Sequence, residues 1–209
     1  MQTSGISEDR KICFPLVGQN KIMSIKKLAI FCGSKTGNHP IYVEDAKKLA
    51  SLMAVNKIEL IFGGGRNGLM GVVADTMMEM GGIVRGVIPR VLLEWEHQHE
   101  NISELLVVED MHIRKRKMYE LCDAAIILPG GFGTLDELFE IVTWNQLSIH
   151  DKKVFILDSG GFYIHLLAHL QYLSENGFSY GQLNEQVTVL KKPEELEMYL
   201  TQADVITKG

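Results

Sequence analysis

Apolar residues along this chain fall into two alternating kinds of segment. Short runs are apolar at almost every successive position, as in Leu28–Cys32, Ile58–Phe62, Leu105–Val108, Ala124–Leu128 and Lys153–Leu157. Ile83–Ile88 and Val187–Leu190 read as further strands. A strand that is apolar on both alternating faces must be covered on both sides. The segments between the runs carry apolar residues at helical spacing. After Pro40, for example, Ala46, Leu49, Ala50 and Met53 recur on one face. The same spacing predicts helices over Leu69–Met80, Met111–Cys122 and Leu135–Leu147. An amphipathic helix follows Gly160-Gly161 and runs through Leu173, and a last helix opens at Pro193 with Glu194 and Glu195 in its first turn. This alternation predicts an α/β fold: a single-domain, Rossmann-like, doubly wound parallel sheet with helices on both faces.

Ligands in such sheets bind beyond the carboxyl ends of the strands, at the point where strand order reverses. Three glycine turns are expected there. Gly33-Ser34-Lys35-Thr36-Gly37 lacks the Gly-Lys-Ser/Thr ending of a P-loop. Gly63-Gly64-Gly65-Arg66-Asn67-Gly68 satisfies G-x-G-x-x-G before a helix. The acidic residue that would hold a dinucleotide ribose is missing from the next strand, so NAD or NADP is not expected. Gly33, Ser34, Gly63, Gly64 and Gly65 are therefore expected simply to line the crevice.

The third turn, Pro129-Gly130-Gly131-Phe132-Gly133-Thr134, has more chemistry in it. Glycines there let backbone N–H groups converge, and the following helix adds its positive end, so phosphate or carboxylate can bind without a basic side chain. Thr134-Leu135-Asp136-Glu137 also fits a capping box, with Thr134 capping and Glu137 reaching back. Both readings of Thr134 and Glu137 stand at this stage. Among the consecutive cations Arg114-Lys115-Arg116-Lys117, side chains on a helix diverge and cannot form one patch; Arg116 and Lys117 are expected on a solvated face.

The chain has 209 residues, 46% of them hydrophobic and 22% charged, which suits one globular domain with a large core. Residues 1–22 are expected to be a mobile extension before a domain spanning 23–209. The net charge of −5 argues against a polyanionic partner, so no nucleic acid is expected. Cys13, Cys32 and Cys122 are widely spaced, without a C-x-x-C, which points away from disulfides and towards a reducing cytoplasm. The short run Ile12–Val17, broken by Pro15, does not suit a membrane span. The interval from Pro89 to Ser103 has no period and reads as a long loop of the kind that carries function. His97 and His99 on it are expected to be solvated, and His165 and His169 lack the glutamate of a zinc helix, so no metal is expected.

Pro129-Gly130-Gly131-x-Gly133-Thr134-x-x-Glu137, Met111-His112-x-Arg114-Lys115 and Thr143-Trp144-x-Gln146-Leu147-x-Ile149-His150 together resemble the LOG family, the cytokinin riboside 5′-monophosphate phosphoribohydrolases. Some relatives carry a lysine decarboxylase label. The similarity covers roughly Ile25 to Lys192. It implies that Arg114 and Glu137 are catalytic, while Lys115, Gly130, Gly131, Phe132, Gly133, Thr134 and Thr143 contact substrate. Glu96 falls where the family has a substrate-contacting glutamate. Phe132 stands in place of a frequent tyrosine and Ser148 of a frequent glycine, changes that bear on base specificity more than on reaction type. The implied reaction is hydrolysis of the N-glycosidic bond of a nucleoside 5′-monophosphate, giving free base and ribose 5-phosphate without metal or cofactor. The resemblance also implies a homodimer with sites near the subunit junction. A non-catalytic nucleotide or molybdenum-cofactor carrier is the rival reading. A lysine decarboxylase would need a Schiff-base lysine and a partner for the pyridine nitrogen of pyridoxal phosphate, and no such set is apparent.

Overall fold

A computed structural model describes residues 24–93, 98–179 and 182–200. The expectations for residues 1–22, for Glu96 and for His97 lie outside the described residues. The described chain runs β1 (Lys27–Phe31), α1 (Pro40–Val55), β2 (Glu59–Phe62), α2 (Gly68–Glu79), β3 (Val84–Pro89), β4 (Glu104–Val108), α3 (Met111–Leu121), β5 (Ala124–Ile127), α4 (Phe132–Gln146), β6 (Lys153–Leu157), α5 (Ile164–Glu175), α6 (Leu183–Gln186) and β7 (Thr188–Leu190). Short 3₁₀ turns occupy Arg90–Leu92, Ser159–Gly161 and Pro193–Tyr199.

The strands form one parallel seven-stranded sheet in the order β4-β3-β2-β1-β5-β6-β7. Alternation along β1 explains why its residues are apolar throughout. Leu28 and Ile30 enter a core with α1 and α2, whereas Ala29 and Phe31 enter the opposite core with α3, α4 and α5. The chain winds outward from β1 to β4, returns to pair β5 against β1, and then winds the other way. The switch point is thus the β1/β5 boundary. There the Leu128 N–H donates to the Phe31 carbonyl at 2.9 Å and the Gly33 N–H to the Pro129 carbonyl at 3.0 Å. Arg85, a charge within a strand, is held by Glu59 and Glu104 on the neighbouring strands.

Several boundaries differ from the sequence reading. α4 opens at Phe132, with Gly131 as its N-cap and no side-chain cap, so Thr134 lies inside the helix and the capping-box expectation is corrected. With glycine at the N-cap, the amides of the first turn are left without a capping side chain. α3 is capped by a side chain: Asp110 accepts from the Ile113 N–H at 2.8 Å. The segment after Pro193 is 3₁₀ rather than α, and α6, too short for a period, went unpredicted. The long loop contains the Arg90–Leu92 turn and comes back onto the β2–α2 turn, where Gln98 pairs with Gly65. His99 is buried, not solvated: its Nε2 lies 2.9 Å from Asp75 Oδ1 of α2. A fixed backbone pairing on either side of a loop can bury a polar ring that composition alone assigns to solvent.

Candidate active site

A cavity of about 260 Å³ opens at the switch point, bounded by the ends of β1 and β2, the first turn of α3 and the N-terminus of α4. Gly33, Ser34, Gly63, Arg114, Phe132, Thr134 and Glu137 line it, as do Gly131 and Gly133. Thr134 and Glu137, one turn apart, share a face of α4, and both are buried. The glycines of this turn serve different ends. A Cβ on Gly130 would lie 2.1 Å from Thr134 Oγ1, so the residue is small because the helix packs onto it. A Cβ on Gly131 or Gly133 would meet nothing within 4 Å. At those two positions glycine leaves open space beside the first turn of α4, a helix end where backbone N–H groups point outward.

Arg114 reaches the cavity from α3 and is 5% exposed. Its Nη2 donates to the Gly63 carbonyl at 3.4 Å, and its Nη1 faces the Met111 sulfur at 3.7 Å. A Cβ on Gly63 would stand 2.0 Å from Nη2, so that glycine makes room for the guanidinium. Gly64 and Gly65 have other tasks than the crevice expected of them. Gly64, at φ +79°, packs under Ile88 and Leu105, and Gly65 pairs with Gln98.

Lys115 does not line the cavity. Its Nζ lies 3.0 Å from Asp136 Oδ2 and 2.9 Å from Glu140 Oε1, tying α3 to α4. Burial pulls the ammonium down, but the hydrogen bonds with Glu140 and Asp136 outweigh it and its pKa is raised. Beneath it, the Tyr119 hydroxyl donates to Glu140 Oε2 at 3.0 Å. Burial, reinforced by the Glu140 carboxylate, raises that phenol and keeps it protonated. Cys32, at the floor of the cavity, is raised by burial and then by the Glu137 charge, so it stays a neutral thiol and is no nucleophile.

Thr143 does not reach this cavity. It is exposed, and its hydroxyl donates to the Phe139 carbonyl at 2.6 Å. Helical phase puts it on the stripe that carries Phe132 and Phe139, which are 94% and 43% exposed. A second cavity, of about 330 Å³, lies across the Gly33–Pro129 contact and shares Gly33, Ser34 and Gly131, with Tyr42 and Phe162 in its wall. Sequence reasoning passed over Cys32, Met70, Leu92, Met111 and Asp136 as lining residues; of these Met111, inside the quoted motif, and Asp136, beside Glu137, had a signal.

The family described as "Possible lysine decarboxylase" matches residues 70–200. The chain is 42% identical over 153 residues to cytokinin riboside 5′-monophosphate phosphoribohydrolase LOG5 of Arabidopsis thaliana, spanning 73% of this chain and 67% of that protein. It is 39% identical over 188 residues to the probable cytokinin riboside 5′-monophosphate phosphoribohydrolase LOGL3 of Oryza sativa subsp. japonica, spanning 88% and 89%. Among solved structures, the molybdenum cofactor binding protein of Rippkaea orientalis superposes with a TM-score of 0.61 at 21% identity, covering 84% of this chain and 94% of that one. The Moco carrier protein of Chlamydomonas reinhardtii gives 0.60 at 17% identity, covering 80% and 90%. At such identities the likeness is one of fold alone.

Proposed function

Because this chain belongs to the LOG family of cytokinin riboside 5′-monophosphate phosphoribohydrolases, we propose that it hydrolyses the N-glycosidic bond of a nucleoside 5′-monophosphate, with Arg114 and Glu137 as its catalytic residues. The observation that carries the reading is convergence: a buried carboxylate, a buried guanidinium and an uncapped helix N-terminus with open space above two glycines meet in one cavity.

The 5′-phosphate sits over the amides of Gly131 to Thr134, where helix dipole and N–H donors favour an anion. This seat sets the sugar beside Glu137, about one helical turn further on. As the bond from C1′ to the base lengthens, positive charge develops on the sugar, as in glycoside hydrolysis. The Glu137 carboxylate stabilises that charge and takes a proton from the attacking water. The water oxygen bonds to C1′, the base departs with the bonding electrons and is protonated from solvent, and ribose 5-phosphate is left. Arg114, always charged and offering a planar fork, holds the ribose oxygens. Lys115 contributes by fixing α3 against α4. Clamped as an ammonium between two carboxylates, it is unsuited to the Schiff base a decarboxylase would need.

The exposed stripe of Phe132, Phe139 and Thr143 supports a homodimer joined along α4, in which Thr143 serves the partner's site. Among the described residues no helix is long and apolar enough to cross a membrane, and Cys32 and Cys122 are free, which suits work in the cytoplasm. The likeness to molybdenum cofactor carriers, being one of fold, brings no cofactor to this chain. Incubation with AMP or isopentenyladenosine monophosphate tests the proposal. Release of free base with ribose 5-phosphate is the expected result; binding without release makes the protein a carrier.

A further inference from the structure

His99 is a buried titratable group for which the reaction above has no use. It is 3% exposed although it belongs to the long, aperiodic loop after β3. Three contacts hold it. Its N–H donates to the Gly64 carbonyl at 2.9 Å, its neighbour Gln98 bridges to Gly65, and its ring Nε2 lies 2.9 Å from Asp75 Oδ1 on α2. The loop is thereby pinned both to the β2–α2 turn and to α2.

That turn is the seat of Arg114. The Gly63 carbonyl accepts from Nη2, and the guanidinium lies so close to the Gly63 Cα that no Cβ fits between them. Gly64, in the left-handed region, is wedged against Ile88 and Leu105, so the turn has little slack on the sheet side. On the other side the His99 backbone contact covers it. Removing the ring leaves a void at the pin and frees the Gly64 carbonyl contact to open; the Gly63 carbonyl moves with it, and Arg114 follows. Displacements of this kind are costly out of proportion to their size, because about 1 Å at a catalytic group can cost on the order of 100-fold in rate.

We infer that His99, held by Asp75, is a positioning residue for the reaction: by pinning the loop onto the Gly63–Gly65 turn it sets where the Arg114 guanidinium stands. The inference rests on the reading that Arg114 acts on a nucleotide. It assigns no direct substrate contact to His99.

The experiment compares His99→Ala, His99→Gln and Asp75→Ala with wild type, reading kcat and KM for AMP or isopentenyladenosine monophosphate beside the affinity for inorganic phosphate. The phosphate seat on α4 is separate from the pin. The alanine variants should therefore lose about 10- to 100-fold in kcat/KM while phosphate affinity stays within about twofold. Gln, whose amide nitrogen can stand where Nε2 does, should restore most of the turnover. In an Arg114→Lys background the same His99→Ala change should cost less than about threefold, since coupled sites are not additive. Full turnover in His99→Ala, or a loss that simply multiplies with that of Arg114→Lys, overturns the assignment. Should His99→Ala fail to fold, Asp75→Ala decides the matter, because Asp75 is half exposed and its loss leaves the core intact; wild-type turnover there overturns it equally. A wild-type protein that releases no base at all sinks the proposed reaction instead, which keeps the two failures apart.

Discussion

Glu137 is the residue on which the proposed reaction turns. Glu137→Gln keeps size and hydrogen bonding but removes the charge and the base, so turnover should fall by about 10² to 10⁴. Calorimetry should find AMP binding nearly unchanged, since the phosphate seat is made of backbone; undiminished turnover would take Glu137 out of the mechanism. Gly63→Ala works from the other side of the cavity. Its Cβ would stand 2.0 Å from Arg114 Nη2, and backbone and guanidinium cannot both stay. A loss of at least about tenfold in turnover, at a cost of about 1–3 kcal/mol in unfolding free energy, is expected from such overpacking. That Glu137 and Arg114 belong to one site was expected from the resemblance, and they do line one cavity. The reason for Gly63 was not legible, because the residue it accommodates lies 51 positions further along the chain.

At the scale of elements, the N-terminus of α4 and its clamp to α3 carry separate predictions. Ala in place of Gly131 or Gly133 meets no neighbour in the chain, so thermal unfolding should change by no more than about 0.5 kcal/mol. Affinity for phosphate and for AMP should nevertheless drop by about tenfold, the cost of a charge-assisted hydrogen bond crowded out of place. Stable variants with unchanged phosphate affinity would show that the anion sits elsewhere. The Lys115 pairing carries a pH signature. Its pKa is raised on folding, so its stabilisation is fully present below the ordinary lysine value of 10.5 and is lost as pH climbs through the raised folded value. The gap in urea midpoint between wild type and Lys115→Met should accordingly be constant up to about pH 10 and close above it; a gap independent of pH would mean the clamp acts by packing alone. The longer helices, α1 to α5, were readable from periodicity to within a few residues, whereas α6 and the 3₁₀ turn after Pro193 were not. Nor was the start of α4, because Thr134 and Glu137 imitate a capping box while the helix opens two residues earlier, at Phe132.

For the molecule as a whole, the outer stripe of α4 carries the proposed dimer. Phe132, Phe139 and Leu147 are exposed along it, an apolar surface that invites a second copy of the chain. Phe139→Glu should convert a dimer to a monomer in sedimentation velocity and leave the cavity of each subunit intact. It should also lower turnover if Thr143 serves the partner's site; a wild-type monomer with full activity would refute the shared site. The strands, the longer helices, the glycine turns and a parallel sheet covered on both faces follow from patterns local to each segment, since apolar runs and helical spacing act over a few residues; the strand order, and with it the crevice between β1 and β5, came from pairing between distant segments. Which side chains meet inside the crevice was decided by packing between segments far apart in the chain. His99 went to the interior, Lys115 to Asp136 and Glu140, and Thr143 to the outer face of α4. Only tertiary structure could make those choices, because burial and pairing are properties of neighbours in space and not of neighbours in sequence.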